Sequence, residues 1–127
     1  MAHHEVTKEN LNKLVIRFYT KILKDDLVGP IFIDVLGSDL KSDIWKAHIQ
    51  ILTDFWASIA LGDFAYKGSP FAPHVKLQKK LSVQAFERWL LLFSETLHTF
   101  FEPRTAELFH ERGKVIAGNF MRNLNIY

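Results

Sequence analysis

The chain has 127 residues and a formal net charge of +2, with its 16 Lys and Arg interspersed among 14 Asp and Glu, and it has no cysteine. That length supports one domain, residues 1–127, with a single well-buried core. The mixed charge argues against nucleic acid as a partner, and the lack of Cys excludes disulfides, thiolate metal sites, iron–sulfur clusters and cysteine nucleophiles.

The absence of Cys also fits a reducing, cytoplasmic setting. Apolar runs such as Trp89-Leu90-Leu91-Leu92-Phe93 are far too short to cross a bilayer, and Met1 to Val6 has no signal-peptide core. A cytoplasmic protein without a membrane partner is expected. Eleven Phe and three Trp stand out. Such flat side chains either fill a core or line a pocket for a flat ligand.

Glycines and prolines divide the chain into helical blocks. Thr7 is a plausible N-cap for a first helix running to about Leu27, with Leu11, Leu14, Val15, Phe18 and Ile22 as its apolar stripe and Tyr19 on the flank. Gly29-Pro30 stops that helix, Ile31-Phe32 follows as an apolar corner, and Leu36-Gly37-Ser38 is another break. A second long helix spans Ser42 to Gly62, with a stripe of Trp45, His48, Leu52, Phe55, Trp56 and Ile59. The loop from Gly62 to Pro73 contains Phe64, Tyr66 and Phe71, more aromatic and longer than an ordinary connection, so it is expected to pack on something. A short helix follows Pro73 and opens with His74. Ser82 caps the third long helix, whose stripe is Phe86, Trp89, Leu90, Phe93, Leu97 and Phe100. Pro103 starts the last long helix, which runs to about Leu124 with Leu108, Phe109, Arg112, Val115, Ile116, Asn119 and Phe120 on one side. No segment alternates with period two, so the fold class is all-α with four long helices.

Two histidines carry the chemistry. His48 lies within roughly 20° of the centre of its apolar stripe, where a charged imidazole is costly, so it is expected neutral and hydrogen-bonded. Taken alone, it reads first as a satisfied core histidine. His74 stands beside an aromatic loop; it is either a surface residue or a ligand to something flat packed beneath that loop. One histidine pointing into a core and another opening the next helix suit a planar iron cofactor held between helices. Tyr19 and Trp89 each have a polar tip that needs a partner if buried, and both suit a site for a small polar ligand. Glu95-Thr96-Leu97-His98 and Glu107-Leu108-Phe109-His110 resemble a di-iron carboxylate pattern. Helical geometry turns both pairs away from their apolar stripes, so they read as solvated surface pairs. The zinc, phosphate-loop and nucleophile-elbow motifs are absent.

The ordered set Phe18-Tyr19, Gly29-Pro30-Ile31-Phe32, Trp45-Lys46-Ala47-His48, Phe55-Trp56, Tyr66 with Gly68 and Pro70, His74, and Trp89 to Phe93 resembles the group III truncated haemoglobins of bacteria over nearly the whole chain. The resemblance implies a two-over-two helical sandwich around one haem b per chain. His74 matches the iron ligand, and Tyr19, His48 and Trp89 match the distal trio that stabilises a bound ligand. Phe32 matches the ring on the porphyrin face. Trp45, Leu52, Trp56 and Phe86, with His48 and Trp89, complete the expected cofactor-binding set.

The function so implied is binding of dioxygen, nitric oxide or CO at a five-coordinate iron, by a monomer or weak dimer. Two other readings stand beside it. One is a haem enzyme, a nitric oxide dioxygenase or peroxidase served by an external reductase. The other is a cofactor-free helical interaction module.

Overall fold

The computed structural model describes residues 5–61, 81–124 and 126, and these contain five helices and no strand. They are α1 (Lys8–Leu23), α2 (Gly29–Leu36), α3 (Asp43–Leu61), α4 (Val83–Phe100) and α5 (Pro103–Asn123). The aromatic loop from Gly62 to Pro73, and the short helix expected after it, lie outside the described residues.

The helix starts follow from their capping chemistry. Thr7 and Ser82 hold extended backbone and accept hydrogen bonds from the N–H of Asn10 and Ala85, each at 3.1 Å. Each hydroxyl satisfies one of the first-turn donors that a helix cannot satisfy itself. The Ser42 hydroxyl accepts from Trp45 N–H at 3.3 Å at the head of α3. Pro103 occupies the first turn of α5, where its missing N–H costs nothing.

The first helix ends earlier than its apolar pattern suggests, at Leu23 rather than near Leu27. Asp25 is the reason. Its Oδ2 accepts from the N–H groups of Leu27 and Val28, both at 3.0 Å, and so offers the backbone an alternative to helix continuation. Gly29-Pro30 then opens a helix instead of merely breaking one, and Ile31-Phe32 belongs to α2. The expected break at Leu36-Gly37-Ser38 is present. Gly37 adopts φ of +83°, a conformation that an L side chain rarely takes, and its carbonyl accepts the Trp45 indole N–H at 2.7 Å. That bond fixes the corner between α2 and α3.

Helix α1 is the hub, packing on α2, α3 and α4, while α5 packs on α4. Its whole expected stripe is buried, and Tyr19 with it. Inside, rings run in an unbroken column. Phe18 meets Phe93 at 5.1 Å, Phe93 meets Trp56 at 5.1 Å, Trp56 meets Phe109 at 5.7 Å, and Phe109 stacks on Phe101 at 5.4 Å.

Two buried faces differ from those expected. On α3 the deepest residues are Trp45, Ile49, Thr53, Trp56 and Ala57, a face turned by roughly 80° from the bulky stripe. Leu52, Phe55 and Ile59 pack only partly against the core, and His48 is likewise half-buried. On α5, Leu108 and Val115 are exposed, at 64% and 55%. The contact face is instead Ala106, Phe109, Gly113, Ala117 and Phe120. Small residues there let α5 approach the rings of α4.

Gly29 shows how tight one joint is. A Cβ placed there would lie 3.0 Å from the Leu23 carbonyl oxygen and 3.1 Å from that of Ile22, both fixed by the helix. Gly29→Ala is expected to destabilise the fold by about 1–3 kcal/mol. The check is urea unfolding, with a lower midpoint at an unchanged slope.

Candidate functional site

The polar features expected to act together converge on α1. Tyr19 is only 4% exposed. Its ring lies 5.3 Å from Phe32 of α2, 5.5 Å from Trp45 and 6.0 Å from His48 of α3. Trp45 in turn stacks on Phe32 at 6.3 Å and meets the His48 ring edge-on at 5.5 Å. On the α4 side, Phe18 bridges Tyr19, at 4.9 Å, to Trp89, at 5.2 Å.

Burial in this apolar shell pushes the Tyr19 hydroxyl up to about 12, and a hydrogen bond from the Trp89 indole pulls it the other way. An indole N–H is a donor only, so it addresses the hydroxyl oxygen and leaves the hydroxyl proton available for another acceptor. Tyr19 is therefore a neutral O–H donor throughout the physiological range. His48 is half-buried beside it, its Nε2 atom is shielded from solvent, and both Tyr19 and Trp45 pack against its ring.

The remaining expected site residues are placed differently. Trp45 is fully buried with its indole committed to Gly37, so it props Phe32 and His48 from behind. Leu52 lies one helical turn beyond His48 on the half-buried side of α3. Trp56 is a core residue, packed between Phe93 and Phe109. Phe86, on the first turn of α4, pairs with Phe120 of α5 at 6.3 Å, not with the Tyr19 cluster. His74 lies outside the described residues.

The paired Glu-x-x-His segments do not form a metal centre. His98 Nε2 is 3.1 Å from Glu107 Oε1 on the exterior, and its Nδ1 is 2.8 Å from the Ser94 carbonyl. Among the described residues no three His, Asp or Glu side chains gather to hold a metal ion.

One pair near the site escaped the sequence reading. Arg88 donates from Nε and Nη2 to Asp25 Oδ1, both at 2.7 Å. The guanidinium, helped by the backbone donors of Leu27 and Val28, holds the Asp25 carboxyl below its usual range. The only local signal was an Asp shortly before Gly-Pro, a turn-capping pattern; its partner is 63 residues away.

Comparison with known proteins places this architecture. No family model matches the chain. It is 32% identical over 127 residues to the group 3 truncated haemoglobin ctb of Campylobacter jejuni, covering all of this chain and 98% of that one. The crystal structure of group III truncated haemoglobin from Campylobacter jejuni superposes with a TM-score of 0.81 at 33% identity, over 98% of this chain and 95% of that chain. The fold is that of a truncated globin, two helix pairs packed in layers. The chain belongs to the group III truncated haemoglobins. No described helix is long and apolar enough to cross a membrane.

The Tyr19 environment has a measurable consequence. The unfolded hydroxyl ionises near pH 10 and the folded one near 12, so between those values the folded chain holds more protons. Stability is then lost as pH rises through that window, by roughly 3 kcal/mol for a displacement of this size. Tyr19→Phe is expected to remove most of this alkaline slope, which chemical denaturation at stepped pH will show.

Proposed function

We propose that this chain binds one haem b and, through it, diatomic gases, with His74 as the iron ligand and Tyr19, Trp89 and His48 on the distal side. The observation that carries this reading is a buried, neutral tyrosine hydroxyl on a ring packed against Phe18, Phe32, Trp45 and His48, with Trp89 close by across Phe18. It sits at the edge of a half-buried apolar face in a chain of haemoglobin ancestry.

The residues fit the group. Haem is flat and largely apolar, and Phe32, Leu52 and Phe55 offer half-buried apolar surface on two helices beside the donors. When bound, haem supplies an iron that takes a diatomic gas and places partial negative charge on it. The protein answers that charge with donors that carry none themselves. Tyr19 would donate a hydrogen bond from its O–H to the bound gas while its oxygen accepted from Trp89, so the two would act in series. In this reading Trp89 works through the Tyr19 oxygen. Polarisation along such a chain strengthens the terminal donor. The rings of Phe18, Phe32 and Trp45 exclude water from it. His48, half-buried and next to Tyr19, is the one titratable group of the trio near neutral pH, which suits it to admit ligands or protons.

A second reading, turnover of nitric oxide or peroxide with an external reductase, draws on the same donor pair. Donors in series slow release of an anionic ligand, and slow release favours chemistry on it over delivery. Stopped-flow mixing of the oxy form with nitric oxide, with reductant supplied, separates the two: a single turnover supports ligand binding and repeated turnover supports catalysis.

Haem supplementation is expected to give a Soret band that shifts on reduction and on CO addition. A protein without such a band would overturn the reading. His74→Ala should abolish stable iron ligation. Tyr19→Phe should speed dioxygen release by about 10- to 100-fold, the value of one hydrogen bond to a charged acceptor, as read by stopped-flow displacement with CO.

A further inference from the structure

The Asp25–Arg88 pair lies outside the distal cluster, yet it joins three of the four helices that build it. Arg88 immediately precedes Trp89 on α4. Asp25 follows the end of α1, six residues after Tyr19, and caps the entry to α2, which carries Phe32. The Asp25 side chain is only 6% exposed, and both its oxygens are used: Oδ1 takes two guanidinium donors and Oδ2 takes the backbone N–H groups of Leu27 and Val28. A carboxylate held by four donors in fixed directions has little freedom to shift. Most surface ion pairs contribute little because both partners are mobile and solvated. Here one partner is buried and bonded to the backbone at a corner where Gly29 already presses on Leu23.

We infer that Asp25 and Arg88 are positioning residues for the distal donors, fixing α4 against α1 in the register that brings the Trp89 indole to the Tyr19 hydroxyl. Trp89 is half-buried and lies against Phe18 and Phe93, rings that tolerate sliding, so ring packing does not by itself fix where the N–H points. The directional restraint on this stretch of α4 is the guanidinium fork one residue earlier. A second tie between α1 and α4, Lys21 to Glu95 at 3.6 Å, is exposed at both ends and supplies a natural control.

This inference rests on the haem reading for its effect on ligands, but not for its structural core, and the test separates the two. The three Trp indole N–H resonances are recorded by NMR on the purified protein, in its diamagnetic ferrous CO form when haem is bound and without haem otherwise, with Tyr19→Phe as the reference for a Trp89 lacking its acceptor. Arg88→Gln is expected to move the Trp89 indole resonance towards its Tyr19→Phe position. It should also speed dioxygen release by about 3- to 10-fold, the range for a coupled residue that does not touch ligand. Lys21→Gln should change neither. Arg88→Lys keeps the charge but loses the fork, and carries the same expectation with a smaller shift if Arg88→Gln does not fold. If the Arg88 variants lower thermal stability while leaving the indole resonance and the release rate unchanged, the pair is structural only and the inference is wrong. If the resonance moves but release does not, the register holds and the distal role of Trp89 falls instead.

Discussion

A hydroxyl buried among aromatic rings constrains everything around it. Tyr19 is nearly inaccessible, and ionising it there would place a charge in a medium that cannot solvate it. Its oxygen therefore needs a neutral donor and its proton an acceptor. Trp89 meets the first need from another helix, so α1 and α4 must keep a fixed register. The α1–α2 corner, the Asp25–Arg88 tie and the Phe18 bridge between the two rings all serve that register. The position of one polar atom thus sets the relation of three helices.

The rest of the core shows how that register survives. Rings in tilted or stacked contact interlock over a broad area but prefer no single direction. Phe18, Phe93, Trp56, Phe109 and Phe101 give the column its cohesion. Direction comes from a few polar contacts at its margins: Trp45 to Gly37, Asn12 to Thr53 and Arg88 to Asp25. Small residues do the complementary work. A Cβ on Gly113 would meet the Phe93 ring at 3.1 Å, so α5 reaches the column only because that side chain is missing.

Local chemistry was legible in the sequence, and relations across the chain were not. Thr7, Ser42, Ser82 and Pro103 announce helix starts because capping is decided within four residues. The α1 stripe was legible because that helix is buried along one well-defined face. On α3 the expected stripe is buried at Trp45 and Trp56 and half-buried at Leu52, Phe55 and Ile59, while on α5 apolar bulk misleads. In α5 the buried side joins the expected Phe109 and Phe120 to Ala106, Gly113 and Ala117, which have little hydrophobic signature and allow close approach, while Leu108 and Val115 stay outside. Tyr19, His48 and Trp89 could be named from the sequence, but how closely their rings gather could not, since that depends on the packing of α1 against α3 and α4. Asp25 and Arg88 could not be paired at all, because nothing in a string relates residues 63 apart.

The burial of α3 extends beyond the expected stripe, to Ile49, Thr53 and Ala57. This helix is apolar over most of its circumference, wider than the single stripe a surface helix needs. One arc, Ile49, Thr53 and Ala57, is deeply buried, and Thr53 receives the Asn12 hydrogen bond from α1. The adjacent arc, His48, Leu52, Phe55 and Ile59, is half-buried and carries the only ionisable side chain among the four. A helix with two neighbouring apolar arcs is built for two partners. The first is α1. For the second, a chain of truncated-haemoglobin descent with a neutral donor pair at the end of that arc calls for a broad, flat and mostly apolar ligand, and haem has that shape and polarity. Had the second arc served only the protein core, a fourth apolar residue in place of His48 would pack there more cheaply than an imidazole beside a buried hydroxyl.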